Sequence, residues 1–242
     1  MRGMPRPRVL LIDALGTLLR LVDPAPALRA ELADRHGVSV SDGAARAALA
    51  AEIHYYRAHL QEGCDPAALR DLRGRCAEVL RDALPSSPRL AAIPGTELVR
   101  ALLGALRFEP YPDALPALSA LRQEGLRVVV VSNWDCSLSE ILARGGLGSG
   151  LDGVVASAAA GARKPDPAIF QSALALAGAE PEQAVHVGDS PAEDVAGARA
   201  AGVRALLLLR DPAATAPDGV PVVRSLMEVT LALDVDPPAD GP

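Results

Sequence analysis

The chain has 242 residues, of which half are apolar and 22% are charged, so its composition is that of a folded globular protein and excludes a disordered chain. This length fits one large domain or two unequal ones. Aromatic residues make up only 2% and the net charge is −6, which argues against a nucleic-acid partner. The net negative charge favours a small molecule as the ligand, and a metal cation could be bound together with it.

The cysteines and the apolar runs predict the cellular compartment of the protein. Cys64, Cys76 and Cys136 are widely spaced and form no CxxC pair, which is typical of a reducing compartment. No apolar run approaches the roughly 18–20 residues that span a bilayer, and the run near the N-terminus is too short for a signal peptide. We therefore expect a cytoplasmic protein without a membrane partner, either a monomer or a homodimer.

The first predicted strand is followed by a long segment of a different kind. Val9–Ile12 is an unbroken apolar run that ends at Asp13, and this pattern predicts a strand buried on both faces. Residues 24–107 contain no comparable run, and their Ala-, Leu-, Arg- and Glu-rich pattern predicts helices. The predicted helices cover residues 24–36, 42–61, 65–83 and 96–107.

Strand and helix patterns alternate along the rest of the chain. Apolar runs at 128–131, 154–155, 184–187 and 205–209 predict further strands. Helical patterns lie at 113–124, 137–144, 167–177 and 191–201. The alternation predicts an α/β fold with a doubly wound parallel sheet, a Rossmann-like core, into which an all-helical domain is inserted. We assign residues 1–19 and 112–242 to the core and residues 20–111 to the insertion.

Polar residues follow three of the predicted strands. Asp13, the pair Ser132-Asn133 and Asp189 each come directly after an apolar run, and Lys164 precedes a predicted helix. Carboxyl ends of parallel strands share one edge of a sheet, where ligands bind. Lys164 is also the only lysine beside 23 arginines. A single strand-end Asp is usually a turn former or a helix cap, but these positions together predict a site.

Four motifs give the chain a family resemblance. They are Asp-Ala-Leu-Gly-Thr-Leu at 13–18, Ser132-Asn133, Lys164-Pro165, and Gly-Asp-Ser-Pro-Ala-Glu-Asp at 188–194. In this order and spacing the chain resembles the haloacid dehalogenase-like hydrolase superfamily over almost its whole length. The helical insertion is similar to the C1-type cap of subfamily IA. The residues of the motifs are most similar to those of the subgroup called haloacid dehalogenase-like hydrolase domain-containing.

The resemblance implies a role for each matching residue. Asp13 would be a covalent nucleophile, since a carboxylate at a strand end can attack phosphorus or carbon. Ser132 and Asn133, with neighbouring backbone N–H groups, would bind the transferring group of the substrate. Lys164 would neutralise that group and hold Asp13 in place.

The resemblance also implies a Mg²⁺ site. Asp13, Asp189 and the backbone carbonyl of Leu15 would supply hard oxygen ligands. Asp194 would support water molecules on the metal or pair with Lys164, although an acidic residue in a first helical turn is also favoured by the helix dipole. Three carboxylates against one lysine leave a charge of −2, which matches one Mg²⁺.

Leu15 is where the chain departs from the family's phosphatases. Those enzymes carry at this position a second Asp that protonates the leaving oxygen, and haloacid dehalogenases lack it because a halide leaves without a proton. We favour a Mg²⁺-dependent phosphatase that acts on a small phosphorylated metabolite through an aspartyl-phosphate on Asp13. The alternatives are a 2-haloacid dehalogenase-type hydrolase with Asp13 as nucleophile, and a catalytically weak or retired member that binds a phosphorylated ligand.

Overall fold

The computed structural model describes residues 6–233, so the ends of the predicted core, 1–5 and 234–242, lie outside the described residues. The chain forms two compact units. One consists of Met1–Arg20 and Pro110–Pro242, and the other of Leu21–Glu109. Over residues 6–233, no helix is both long and apolar enough to cross a membrane.

The strands of the described chain are mostly those that the apolar runs predict. In chain order they are β1 Val9–Ile12, β2 Leu19–Leu21, β3 Phe108–Pro110, β4 Arg127–Ser132, β5 Gly153–Ala156, β6 Ala184–Gly188, β7 Arg204–Leu208 and β8 Val222–Val223. Among the described residues, β2 pairs with β3, and the others form one sheet of order β5-β4-β1-β6-β7-β8. The pairings recorded in this larger sheet are parallel.

The register of the sheet brings the strand ends together. Ile12 lies opposite Val130 on one side and Val187 on the other. The residues that follow these strands therefore emerge at the same edge. Strand β1 is an unbroken apolar run and every residue of it is buried, as expected for the centre of a parallel sheet that is covered on both faces.

The helices complete both units. They are α1 Ala25–His36, α2 Asp42–His59, α3 Pro66–Ala83, α4 Pro88–Ala91, α5 Gly95–Ala105, α6 Ala114–Gln123, α7 Leu138–Arg144, α8 Ser157–Ala160, α9 Pro167–Ala177, α10 Ala196–Ala200 and α11 Val229–Leu233. In the first unit, α9 places Ile169 and Phe170 in one apolar core with Val129 and Val131 of β4. Helix α9 begins where the Asp166 carboxylate accepts a hydrogen bond from the N–H of residue 168.

The second unit is a bundle of helices. Its interior is lined by leucines of α1, α2, α3 and α5, among them Leu28, Leu49, Leu72 and Leu98. Helix α3 begins at Asp65, whose carboxylate accepts hydrogen bonds from two N–H groups of the first turn.

The parallel α/β fold with a helical insertion is confirmed, and the differences from the sequence prediction are local. Helices α4, α8 and α11 and strands β2, β3 and β8 are too short to show a period, so the sequence did not reveal them. The insertion is therefore helical but is joined to the core by two short strands. Residues 191–201, predicted as one helix, form a π-helical turn at Pro191–Val195 followed by α10.

Candidate active site

Asp13 lies at the carboxyl end of β1 and is almost fully buried, with 5% of the residue exposed. Its N–H donates to the carbonyl of Val187 at 2.9 Å, which fixes its backbone to β6. Its Oδ1 accepts hydrogen bonds from Ser132 Oγ at 3.0 Å and from Lys164 Nζ at 2.6 Å. Its Oδ2 is buried and has no hydrogen-bond partner in the structure. One oxygen is therefore held by the protein while the other is left for a ligand.

Lys164 connects two carboxylates inside the first unit. Its Nζ lies 2.6 Å from Asp13 Oδ1 and 2.6 Å from Asp194 Oδ1, and only 1% of the residue is exposed. Asn133 holds the Lys164 backbone by two hydrogen bonds: Asn133 Nδ2 donates to the Lys164 carbonyl at 3.0 Å, and the Lys164 N–H donates to Asn133 Oδ1 at 2.8 Å. Asn133 is thus placed to position Lys164. Its predicted part in substrate binding stays a prediction.

The Asp194 carboxylate accepts hydrogen bonds from three donors. Besides Lys164, its Oδ1 accepts from His186 Nε2 at 2.8 Å, and its Oδ2 accepts from the Ser190 N–H at 3.0 Å. The approach to β6 is close, because a Cβ on Gly188 would lie 2.1 Å from Asp194 Cγ. A glycine is required there, and it lets the π-helical turn place the Asp194 carboxylate under Lys164.

Asp189 is the exposed carboxylate of the cluster. The backbone of Gly16, in the turn after Asp13, packs against it: φ is +87° at Gly16 and a Cβ there would lie 1.9 Å from Asp189 Oδ2. Oxygen atoms of Asp13, Asp189 and Asp194 all lie within 4.8 Å of one another. The structure therefore brings the three predicted metal-site carboxylates together, and the remaining predicted ligand, the Leu15 carbonyl, belongs to the same turn as Gly16.

The electrostatics of the cluster reflect its excess of negative charge. Burial raises the pKa of Asp13, and the Asp194 carboxylate adds to this effect while Lys164 opposes it. Burial and the carboxylates of Asp13 and Asp194 raise the pKa of Asp189 to about 7, although part of its side chain reaches solvent. Each carboxylate makes ionisation of the next more costly.

Lys164 and Asp194 are ionised by contrast. Burial disfavours the charged forms of both groups, but mutual attraction outweighs it and raises the pKa of Lys164 above its ordinary value. The same contact, together with the hydrogen bond from His186, holds the pKa of Asp194 well below its usual range. Lys164 thus carries a full positive charge against Asp13.

The residues present fit a divalent cation. The unpartnered Oδ2 of Asp13 is a buried acceptor without a donor, which is costly unless a ligand completes it. With all three carboxylates ionised, one ammonium leaves a charge of −2. Carboxylate and carbonyl oxygens are the ligands that Mg²⁺ prefers.

Two residues of this region were not singled out from the sequence. His186 lies in the middle of β6 and is fully buried, and its Nε2 donates a hydrogen bond to Asp194. Arg210 directly follows the apolar run at 205–209, most of which lies in β7. The rule that selected Asp13 and Asp189, a polar residue just after a buried strand, would have selected Arg210 as well. Beside Asp189 lies a cavity of about 240 Å³, which is lined by Gly16, Tyr111, Asp189, Leu208, Leu209, Arg210, Asp211 and Ala214.

A buried Asp–Lys–Asp network at the carboxyl edge of a parallel sheet is suited to a hydrolase with a carboxylate nucleophile. Residues 7–202 match the family model described as haloacid dehalogenase-like hydrolase, and the chain belongs to this family. The protein is therefore a hydrolase of the haloacid dehalogenase-like family.

The chain is similar to named relatives over most or about half of its length. The mouse haloacid dehalogenase-like hydrolase domain-containing protein 3 is 33% identical over 241 residues, 94% of each chain. A phosphoserine phosphatase of Thermus thermophilus is 40% identical over 129 residues, 52% of each chain. The crystal structure of a 2-haloacid dehalogenase from Pseudomonas syringae is similar with a TM-score of 0.67 at 25% identity, and the match covers 94% of this chain and 98% of that one.

Proposed function

We propose that the protein is a Mg²⁺-dependent phosphatase that hydrolyses a small phosphorylated metabolite through an aspartyl-phosphate on Asp13. The observation that carries this proposal is the contact of 2.6 Å between Lys164 Nζ and Asp13 Oδ1 inside a cluster of three carboxylates. A relative named as a phosphoserine phosphatase, with which the chain shares 40% identity over 129 residues, supports the same class of reaction.

The chemistry begins with the Asp13 carboxylate. One of its oxygens forms a bond to phosphorus while the bond from phosphorus to the leaving oxygen breaks, which yields an acyl phosphate on Asp13. Lys164 and the Ser132 hydroxyl carry the positive charge and the hydrogen bond that the phosphoryl oxygens need. Water then attacks the phosphorus of the intermediate, and its proton passes to solvent or to phosphate. Inorganic phosphate leaves and the Asp13 carboxylate is restored.

The metal ligands in this proposal are Asp13, Asp189 and the carbonyl of Leu15. A bound Mg²⁺ would neutralise phosphoryl charge and orient the group for in-line attack. Asp194, the fourth residue of the predicted metal set, already accepts hydrogen bonds from three donors. These bonds favour the other predicted role, in which Asp194 holds Lys164 against Asp13.

The substrate class follows from Leu15. This half-buried side chain cannot supply a proton to a leaving oxygen. Acyl phosphates and acidic aryl phosphates have leaving groups that depart without a proton, so they lose nothing from the missing acid. We infer that they are hydrolysed far faster than alkyl phosphates such as sugar phosphates.

The test is hydrolysis of acetyl phosphate and para-nitrophenyl phosphate with Mg²⁺ and with excess EDTA, using Asp13→Asn as the blank. Turnover that needs both Mg²⁺ and Asp13 is the expected result. Turnover that persists in EDTA or in Asp13→Asn would contradict the proposal.

A second candidate activity is 2-haloacid dehalogenation. It is favoured by Leu15, because a halide leaves without a proton, and by the similarity to a solved 2-haloacid dehalogenase at 25% identity. In that reaction Asp13 would attack the carbon that bears the halogen and form an ester, which water splits. Chloride release from 2-chloropropionate, lost in Asp13→Asn, would support this activity over the phosphatase.

A further inference from the structure

Arg210 makes an unusual set of contacts for a residue outside the family motifs. Its Nη2 donates to the carbonyl of Thr17 at 2.6 Å, and its Nε donates to the carbonyl of Gly16 at 3.3 Å. The guanidinium carbon lies 3.7 Å from the centre of the Tyr111 ring. The side chain is 21% exposed, so these contacts are largely shielded from water.

Asp113 fixes the orientation of Arg210. The carboxylate receives Nη1 at 3.1 Å and Nη2 at 3.0 Å, a paired contact that a planar guanidinium makes and an ammonium cannot. Asp113 is itself held by Ser225 Oγ and by the N–H of Leu226, both at 2.9 Å. Burial favours the neutral form of Asp113, but these donors keep its pKa below the usual range. The Arg210 side chain is therefore held in one orientation by the Asp113 carboxylate, which Ser225 and Leu226 hold in place.

The carbonyls that Arg210 holds belong to the turn between Asp13 and Leu19. The carbonyl of Leu15 lies in this turn, and the backbone of Gly16 packs against Asp189. Inside the turn the Gly16 N–H donates to the Leu19 carbonyl at 2.8 Å, and from outside it the Tyr111 N–H donates to the Leu18 carbonyl at 2.9 Å. Arg210 is the side chain that holds the carbonyls of Gly16 and Thr17. A displacement of this turn would move both the Leu15 carbonyl and the wall against Asp189.

We propose that Arg210 is a positioning residue for the magnesium site, through its two hydrogen bonds to the carbonyls of Gly16 and Thr17. The inference rests on the proposed function, in which Asp13, Asp189 and the Leu15 carbonyl bind Mg²⁺. Arg210 does not touch the metal. It holds the turn that carries the Leu15 carbonyl and that packs against Asp189. Groups that hydrogen-bond to the ligands orient them in the same way at other metal sites.

The test is metal binding by the folded protein, measured without substrate. Mn²⁺ is titrated into the wild type and into Arg210→Lys, and free Mn²⁺ is followed by electron paramagnetic resonance. Lysine keeps the charge but loses the planar fork, so we expect its Kd for Mn²⁺ to rise about 10- to 100-fold, the usual cost of losing an outer partner of a metal ligand.

Arg81→Lys is the matched control. Arg81 is 17% exposed and donates to two carbonyls, Leu90 at 2.7 Å and Ile93 at 2.9 Å, and to a carboxylate of Glu78, but it lies in the helical unit. Its replacement removes the same kind of contact and should leave the Kd for Mn²⁺ unchanged. A Kd that is equally raised in both variants would show a general loss of stability and would overturn the inference.

Asp113→Asn is the second variant, in case Arg210→Lys does not fold. It leaves Arg210 in place but weakens its lock, so a smaller rise in the Kd for Mn²⁺ is expected, and an unchanged Kd would overturn the inference. Wild-type protein that bound no Mn²⁺ would contradict the proposed metal site itself. Binding by the wild type that Arg210→Lys fully retains would contradict only the role of Arg210.

Discussion

Gly16 and Asp189 touch in a way that leaves no room for a side chain. A Cβ on residue 16 would lie 1.9 Å from Asp189 Oδ2, closer than any non-bonded carbon and oxygen can approach. The backbone of Gly16 also adopts φ of +87°, which favours glycine for a second reason. The first and fourth motifs are thus in van der Waals contact, because residue 16 has no side chain and its backbone lies directly against the Asp189 carboxylate.

Gly16→Ala should abolish turnover of acetyl phosphate while the protein stays folded. The added methyl group must displace the Asp189 carboxylate, and the positive φ adds a backbone cost on the order of 1–2 kcal/mol. Gly125→Ala is the control, because Gly125 has φ of +81° and nothing lies within 4 Å of its added Cβ. Equal loss of activity in both variants would mean that backbone strain, and not contact with Asp189, was responsible.

Lys164→Met should destabilise the protein by about 3–5 kcal/mol and reduce turnover by about 10²–10³-fold. The change leaves the buried carboxylates of Asp13 and Asp194 without their shared cation. Urea unfolding and acetyl phosphate hydrolysis measure the two effects. In the double variant Lys164→Met with Asp194→Asn, one charge is removed from each side, so stability should recover in part while activity does not.

The control for this change is Arg46→Met. Arg46 also contacts two carboxylates, Asp23 and Asp42, but its side chain is 51% exposed. Its loss should change the stability of the protein little, since exposed ion pairs contribute little. A similar loss of stability for Arg46→Met and Lys164→Met would contradict the importance of burial.

Leu15→Asp should extend the substrate range to alkyl phosphates. A carboxyl group at this position could protonate an alkoxide leaving group, which is worth about 10²–10⁴-fold for general acid catalysis. The gain should appear in kcat/KM for a sugar phosphate and be small for acetyl phosphate. Leu15→Asn, which has the same shape without the acid, should show no gain. Comparable kcat/KM for acetyl phosphate and a sugar phosphate in the wild type would contradict the role assigned to Leu15.

Glu52 should make the stability of the protein depend on pH. It lies in α2 with 3% of the residue exposed, and burial raises its pKa to about 7 from an ordinary 4.5, although a hydrogen bond with Cys76 opposes the rise. Because the folded protein holds this proton more tightly than the unfolded chain, the contribution of Glu52 to stability is greatest below pH 4.5. It then falls as the pH rises towards 7, by up to about 3 kcal/mol.

Urea midpoints between pH 5 and pH 8 test the effect of Glu52. Glu52→Gln carries no charge at any pH, so its profile should lack this component of the decline and it should exceed the wild type in stability at pH 8. Glu140→Gln is the control at an exposed glutamate and should follow the wild-type profile. A Glu52→Gln profile parallel to that of the wild type would contradict this prediction.

Local sequence patterns fixed the elements that carry the site. The run Val9–Ile12 was predicted as a strand and forms one with the same bounds, because its unbroken apolar side chains can be buried only between two faces. The predicted helix at 167–177 has the same bounds in the structure, because Asp166 and Pro167 mark its start and Gly178 its end. Because the carboxyl ends of parallel strands share one edge of the sheet, the sequence also predicted that Asp13, Ser132 and Asp189 lie at the same edge.

Contacts between distant parts of the chain could not be predicted in this way. His186 lies in the middle of an apolar strand, and nothing in that run shows that its ring faces Asp194. The reach of Arg210 back to Gly16 and Thr17 spans more than 190 residues. Such contacts depend on strand order and on the packing of side chains.

The sequence by itself determined the α/β fold, the helical insertion and the edge of the sheet at which the charged residues meet. These follow from hydrophobic period, from turn residues and from the shared direction of parallel strands. Only the tertiary structure decided that Asp194 pairs with Lys164, and that Asp13 Oδ2 has no hydrogen-bond partner. Whether a hydrogen bond forms depends on differences of a few tenths of an ångström in the distance between donor and acceptor. Close packing sets these distances, and residue order alone does not.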